Sequence, residues 1–288
     1  MYLTGFADEA AAGIDGQIRA TKELGWKFIE SRNIDGKNLH DISDADFDIV
    51  CGKLADAGIS INCFGSAIAN WAKDIRKPFD EDLEATRRAI PRMQRLGTKF
   101  IRIMSYPPIP DCDMEHQMAE ERFSRLNTIT KMFLDAGLQP LHENCMNYGG
   151  QGWKYTLRML DAVPGLKLVF DTGNPVNTKD RENPGKRQSA WEFYKNVKEH
   201  IVYVHIKDGI VDEEGKTKWT FCGEGDGDVE RIVQDIIASG YDGGFSMEPH
   251  MAVVAHDSSV VSEEEQRYNN YVEYGRRFEK ILAKYSKA

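Results

Sequence analysis

Residues 166–174 read LKLVFDTGN: an apolar run rich in branched and aromatic residues that ends on an aspartate and then a turn. Such a run has the composition of a buried strand, and the aspartate stands at its C-terminal end. Three nearby stretches have the same form: LQPLHENC at 138–145, IVYVHIKD at 201–208 and GGFSMEPH at 243–250. Working outward, further runs of this kind occur at 2–6, 27–31, 59–64 and 99–105. With 138–143, 166–171, 201–206 and 243–248 they make eight predicted strands.

Between them lie polar segments with helical spacing, at 15–24, 44–57, 80–96, 116–136, 153–162, 188–199 and 228–238, and a last one at 263–284. Gly25, Gly58, Gly97, Gly137, Gly165 and Gly240 follow six of these, where a left-handed helix cap is expected. Eight strand-helix units in 288 residues fit an α/β fold of the (β/α)8 TIM-barrel type. A doubly wound sheet would show a glycine-rich phosphate turn after its first strand, and GFADEAAAGIDG at 5–16 lacks GxGxxG. The irregular segments 65–78, 106–114, 144–152, 174–186 and 209–227 all follow strands, so they gather on the face where such barrels carry chemistry.

Lys and Arg total 37 against 46 for Asp and Glu, a net charge of -9, which gives no attraction to nucleic acid or anionic membranes. The five cysteines are widely spaced with no CxxC pair, and the start, MYLTGFADEA, has no basic or long apolar segment. A cytoplasmic protein with free thiols is expected, and a homo-oligomer is compatible with this composition.

Glu143, Asp171, His205 and Glu248 stand at or near the ends of four consecutive strands and converge on one half of a closed barrel's mouth. Three carboxylates so close raise one another's pKa unless a cation neutralises them. A divalent metal does so; the alternative is that one or more caps a helix or meets a basic partner elsewhere. Carboxylates with one imidazole and no thiolate set suit Mn²⁺ or Mg²⁺ best, with Zn²⁺, Co²⁺ or Fe²⁺ acceptable.

HEN at 142–144 with YGGQG at 148–152, DTGN at 171–174, HIKD at 205–208, GEGDGD at 223–228 and MEP at 247–249 follow in that order. In these pieces, over nearly its whole length, the chain resembles the xylose-isomerase-like TIM barrels. That family includes sugar-phosphate isomerase/epimerases, ketose 3-epimerases, hydroxypyruvate isomerase, inosose dehydratase and apurinic endonucleases. The resemblance implies a single barrel domain over 1–288 and one divalent metal on Glu143, Asp171, His205 and Glu248. It also implies that Glu143 and Glu248 act as acid and base in the epimerase branch. Many epimerases have histidine where this chain has Asn174, and an arginine after strand seven where it has Lys207 and Asp208.

The expected function is a metal-dependent isomerase or epimerase acting on a keto-sugar or related polyol through an enediolate. The alternatives are a lyase of the inosose dehydratase or 3-keto-glycoside β-elimination type and a non-catalytic sugar-binding protein. An endonuclease would need further metal ligands where Cys63, Phe64, Met104 and Ser105 stand. The expected partner is a small unphosphorylated sugar or polyol, with no nucleic acid and no membrane.

Lys207 shares the inward side with His205, so it either contacts a substrate oxygen or pairs with Asp208 or a mouth carboxylate. Asn174, Glu30 and Trp71 are further candidate substrate contacts; Glu30 could instead hold a loop backbone, and Trp71 could be a lid or interface residue. His142 should face outward as a packed histidine, His250 could support the site, and GEGDGD, with Glu224, should be a turn into a helix that Asp228 caps.

Overall fold

The structure is a computed structural model that describes residues 1–252 and 263–285. Eight parallel strands form one sheet: β1 (Tyr2–Gly5), β2 (Phe28–Ser31), β3 (Ser60–Gly65), β4 (Phe100–Ile103), β5 (Gln139–Glu143), β6 (Lys167–Asp171), β7 (Ile201–Ile206) and β8 (Gly244–Met247). From β2 to β8 each strand pairs with the next in the chain, and β8 returns to pair with β1. A parallel bridge between Phe6 and Glu30 brings β1 to β2, and the sheet is an α/β (β/α)8 TIM barrel.

The surrounding helices are α1 (Ile14–Glu23), α2 (Asp44–Ala57), α3 (Asp80–Leu96), α4 (Ala119–Asp135), α5 (Trp153–Ala162), α6 (Ala190–Val197), α7 (Val229–Ala238) and α8 (Glu264–Ala283). Ser43 opens α2 by accepting from the Asp46 N–H at 3.1 Å, and Ser189 does the same for α6 with Glu192 at 3.2 Å. All six glycines predicted as left-handed caps have φ between 66° and 87°. Asp228 precedes α7 as expected but is itself left-handed, and its side chain makes no capping bond. Among the described residues no helix is long and apolar enough to cross a membrane.

Strand alternation sorts the core into two parts. Phe170, Val204, Ile206, Phe245 and Met247 pack into the large cluster beneath the helices. Cys63, Leu141, Val169 and Tyr203 form a small separate cluster on the other side of the strands, inside the barrel. One inward step further along β5, β6 and β7 come Glu143, Asp171 and His205, above an apolar floor. The two parts require this alternation, and a slip of one residue in any strand would turn its charged group into the helix layer.

Candidate active site

The donor atoms of Glu143, Asp171, His205 and Glu248 all lie within 4.8 Å of one another, and all four residues are buried. Glu143 and Glu248 line a cleft of about 280 Å³, together with Arg32, Trp71, Arg102, Asn174, Lys207 and His250. A separate depression of about 350 Å³, lined by Trp153, Tyr155, Arg181 and Phe193, contains none of the four.

Each carboxylate has one oxygen committed to a fixed donor. Glu143 Oε2 accepts from Arg102 at 3.0 Å, while its Oε1 faces Asn174 Nδ2 at 3.1 Å and His205 Nδ1 at 3.4 Å. Glu248 Oε1 accepts from Arg32 at 2.8 Å, and its Oε2 accepts from Lys207 at 2.7 Å. Asp171 Oδ1 accepts from the N–H groups of Gly173 and Asn174, at 2.9 and 2.6 Å. The buried Asp171 Oδ2 accepts no hydrogen bond, and Lys207 Nζ stands 3.2 Å from it as an ion pair off hydrogen-bond geometry.

This orphaned oxygen, in a set of three carboxylates and an imidazole, is what a cation-binding position requires, and the four residues fit a divalent ion. His205 is oriented for it: Nδ1 faces Glu143, and Nε2 lies 3.0 Å from Glu30 Oε2. A carboxylate behind a ligating imidazole fixes the ring.

Charge crowding shows in the proton affinities. Burial alone would raise Glu143, but Arg102 and His205 outweigh it and hold the carboxyl down at about 2. Burial likewise opposes ionisation of Glu248, yet Lys207, His250 and Arg32 keep it well below the ordinary range. For Asp171 burial wins against Lys207, with help from Glu248 and Glu143, and the carboxyl rises to about 6. Burial disfavours the His205 imidazolium, but Glu30 and Glu143 bring it up to about 10.

The sequence left a metal or a basic partner open as the neutralising charge, with Lys207 a possible partner; the structure pairs Lys207 with the mouth carboxylates and adds two further buried cations, Arg32 and Arg102. Arg32 also grips Asp8, at 2.9 and 3.1 Å, and Glu9 at 3.2 Å. Arg32, Arg102, Asp8 and Glu9 were not among the sequence candidates. Arg32 and Arg102 carried a readable signal, since Arg32 has the inward parity of Glu30 and Arg102 is a lone charge inside the apolar strand FIRI.

The remaining candidates fall in different places. Asn174 and Trp71 line the cleft, Trp71 with 38% of its surface exposed. Glu30 does not line it: the side chain is fully buried against His205 and the Tyr203 hydroxyl, 3.0 Å away. Lys207 lines the cleft while paired with Glu248 and Asp171, and Asp208 is not its partner. His142 faces away from the mouth, bonded to Ser105 and Asn147 at 3.0 and 3.1 Å. His250 Nδ1 meets Glu9 at 2.8 Å, and its Nε2 is 3.7 Å from Glu248.

The GEGDGD loop leads into α7 as expected, and its backbone also wraps a side-chain anion that the sequence did not reveal, Asp208. The N–H groups of Gly209, Gly223, Gly225 and Gly227 donate to the Asp208 carboxylate at 2.8 to 3.1 Å, while Glu224 pairs with Arg277. This nest holds the antiparallel hairpin 208–211/217–220 over the mouth and brings Trp219 to Lys207 and His250.

A model of the xylose isomerase-like TIM barrel family matches residues 18–271, and the chain belongs to that family. The structure is similar to the IOLI protein with a binding zinc atom (14% identity, all of both chains covered, TM-score 0.74). It also resembles the "probable 3-DHS dehydratase AsbF involved in the petrobactin synthesis" from Bacillus anthracis (15% identity, 97% of this chain and 99% of that one, TM-score 0.70). A D-allulose 3-epimerase from Methylomonas sp. in complex with D-allulose aligns with 16% identity over 96% of each chain and a TM-score of 0.66. No match was found among curated protein sequences. Among these similar structures one is named as an epimerase and one as a probable dehydratase.

Proposed function

We propose that this chain is a divalent-metal-dependent isomerase or epimerase acting on a keto-sugar or related polyol through an enediolate. The reading takes residues 1–288 as one barrel domain, with Glu143, Asp171, His205 and Glu248 as the metal ligands. The carrying observation is the pair Glu143 and Glu248: each has one oxygen held by a buried arginine, and both line the same cleft beside the orphaned Asp171 oxygen. The ion supplies polarisation of a carbonyl and its neighbouring hydroxyl, which acidifies the intervening C–H. Oxygen donors with one imidazole favour Mn²⁺ or Mg²⁺, and Zn²⁺, Co²⁺ and Fe²⁺ also fit such a set.

One of the two glutamates takes the proton from that carbon, and the fate of the proton then selects the product. Return by the other glutamate to the opposite face epimerises, and delivery to the adjacent carbon isomerises. Asn174, Trp71 and Lys207 line the cleft, and in this reading they hold sugar oxygens and shield the carbanionic carbon from water. A β-eliminating lyase is the second reading. Lys207 favours it, because an ammonium in the same cleft can protonate a departing oxygen.

Incubation of metal-loaded protein with keto-sugars and inososes in D₂O tests both readings. Solvent deuterium in an intact sugar supports isomerase or epimerase chemistry, and loss of water or aglycone supports elimination. No exchange and no turnover across neutral and carboxylated keto-polyols would sink both.

A further inference from the structure

We propose that Lys207 is a built-in counter-cation seated on two of the four residues that would hold the metal, Asp171 and Glu248, and that a divalent ion displaces its ammonium from them. This rests on the metal site proposed above. Asp171 Oδ1 is committed to two backbone N–H groups and Glu248 Oε1 to Arg32, so the oxygens these residues can still offer an ion are Oδ2 and Oε2. Those are the two atoms that Lys207 Nζ touches, at 3.2 and 2.7 Å. An ammonium and a divalent ion on the same two carboxylate oxygens compete, because like charges repel strongly where water is excluded.

The seat of Lys207 is constructed. Its backbone N–H donates to Thr172 Oγ1 at 3.1 Å, and its carbonyl accepts from the same hydroxyl at 2.6 Å. The stem crosses Gly173 so closely that a Cβ there would lie 2.7 Å from Lys207 Cγ, so the glycine of DTGN is required for this path. On the other side stands the Trp219 ring, with its centroid 5.2 Å from Nζ. The seated ammonium is thus already at cation–π distance from that ring, which can keep contact with it when it leaves the carboxylates. Two consequences follow. The ion binds more weakly than its carboxylates alone would allow, and Lys207 turns toward the substrate space only in loaded protein.

The test is calorimetric titration of Mn²⁺ into metal-stripped wild type, Lys207→Met and Lys218→Met, the last removing a like charge from the exposed strand of the hairpin. We expect one Mn²⁺ per chain throughout, with Lys207→Met about tenfold tighter or more and Lys218→Met within about twofold of wild type, since exposed charges are screened. Equal or weaker binding by Lys207→Met, or equal tightening by Lys218→Met, overturns the exchange. Absence of Mn²⁺ binding by the wild type overturns the metal site itself, and is recognisable because it needs no variant. Wild-type crystals with and without Mn²⁺ give a second measurement independent of the variant's folding. Nζ should leave both carboxylates in the loaded form, and an ammonium still seated on them beside a bound ion refutes the exchange.

Discussion

Arg102 Nη1 donates to Glu143 Oε2 at 3.0 Å, and both side chains are buried at the barrel mouth. Arg32 repeats the arrangement on Glu248, and the two guanidinium carbons lie 5.1 and 4.5 Å from the centroid of one ring, that of Phe6. The same ring meets the His205 imidazole edge-on at 5.1 Å. One aromatic side chain from the end of the first strand thus spaces both arginines and the histidine, and each proposed proton-transfer group has its own countercharge.

Arg102→Met should therefore be costly. Removing one partner of a buried pair leaves an uncompensated charge, worth about 3 to 5 kcal/mol. Urea unfolding should show a loss of that size, and Arg102→Lys should recover part of it. A loss under about 1 kcal/mol, the size of a surface pair, would mean that solvent or another cation replaces the guanidinium.

Glu143→Gln and Glu248→Gln should each leave the barrel folded and retain part of the metal affinity, since an amide still offers an oxygen. Neither can carry the proton, so kcat should fall about 10² to 10⁴-fold. Near-wild-type turnover on an established substrate would exclude that residue from proton transfer.

The barrel was readable because its punctuation is local. A glycine past a helix adopts positive φ whatever surrounds it, and the parity of β5 to β8 places Glu143, Asp171, His205 and Glu248 on one side without tertiary information. Depth along the barrel axis is not local. Glu30 has the correct parity but sits beneath His205, because a register shift between Ile29 and Glu30 in the β2–β3 pairing sets how far that strand advances. The arginines were missed for a related reason: an inward guanidinium is legible as a charge in an apolar run, but its partners come from strands far away in sequence. Whether Lys207 pairs with Asp208 depended on the nest of glycine N–H groups around that aspartate, which only the folded loop assembles.

Glu30→Gln separates orientation of His205, a proposed metal ligand, from substrate contact. If Glu30 fixes His205, the variant should lose about 10 to 100-fold in Mn²⁺ affinity by direct titration, the usual effect of removing a group behind a ligand. At saturating Mn²⁺, KM should be unchanged. A raised KM with unaltered metal affinity would return Glu30 to the substrate.

His40, 2% exposed, should make the protein acid-sensitive. Burial disfavours its charged form, Asp41 only partly opposes this, and the pKa falls to about 4. Between that value and the unfolded value near 6.5 the unfolded chain binds the proton and the folded one does not, so stability drops as pH falls through this window. The wild-type minus His40→Gln difference in unfolding free energy should shrink from pH 7.5 to pH 4.5. A difference independent of pH would show that the folded protein accommodates the charge.

The last prediction concerns the loop that holds Trp219 against Lys207. A Cβ on Gly225 would stand 2.4 Å from Asp208 Oδ1 and 2.5 Å from the Gly209 carbonyl oxygen, closer than real contacts allow. Gly225→Ala must therefore open the nest, whereas at Gly52, mid-helix with open space around its Cβ position, the same change meets nothing. Asp208→Ala removes the acceptor of four backbone N–H groups, and each buried donor left without a partner costs about 1 to 3 kcal/mol. Both Gly225→Ala and Asp208→Ala should lose several kcal/mol unless the loop detaches locally. In that case global stability stays near wild type, but backbone hydrogen exchange speeds up across 208–227 and Trp219 fluorescence shifts to the red. Gly52→Ala should be neutral to stabilising, by up to about 1 kcal/mol. Wild-type stability together with wild-type exchange in Asp208→Ala would show that the glycine N–H groups find other acceptors, and that the loop does not depend on the nest.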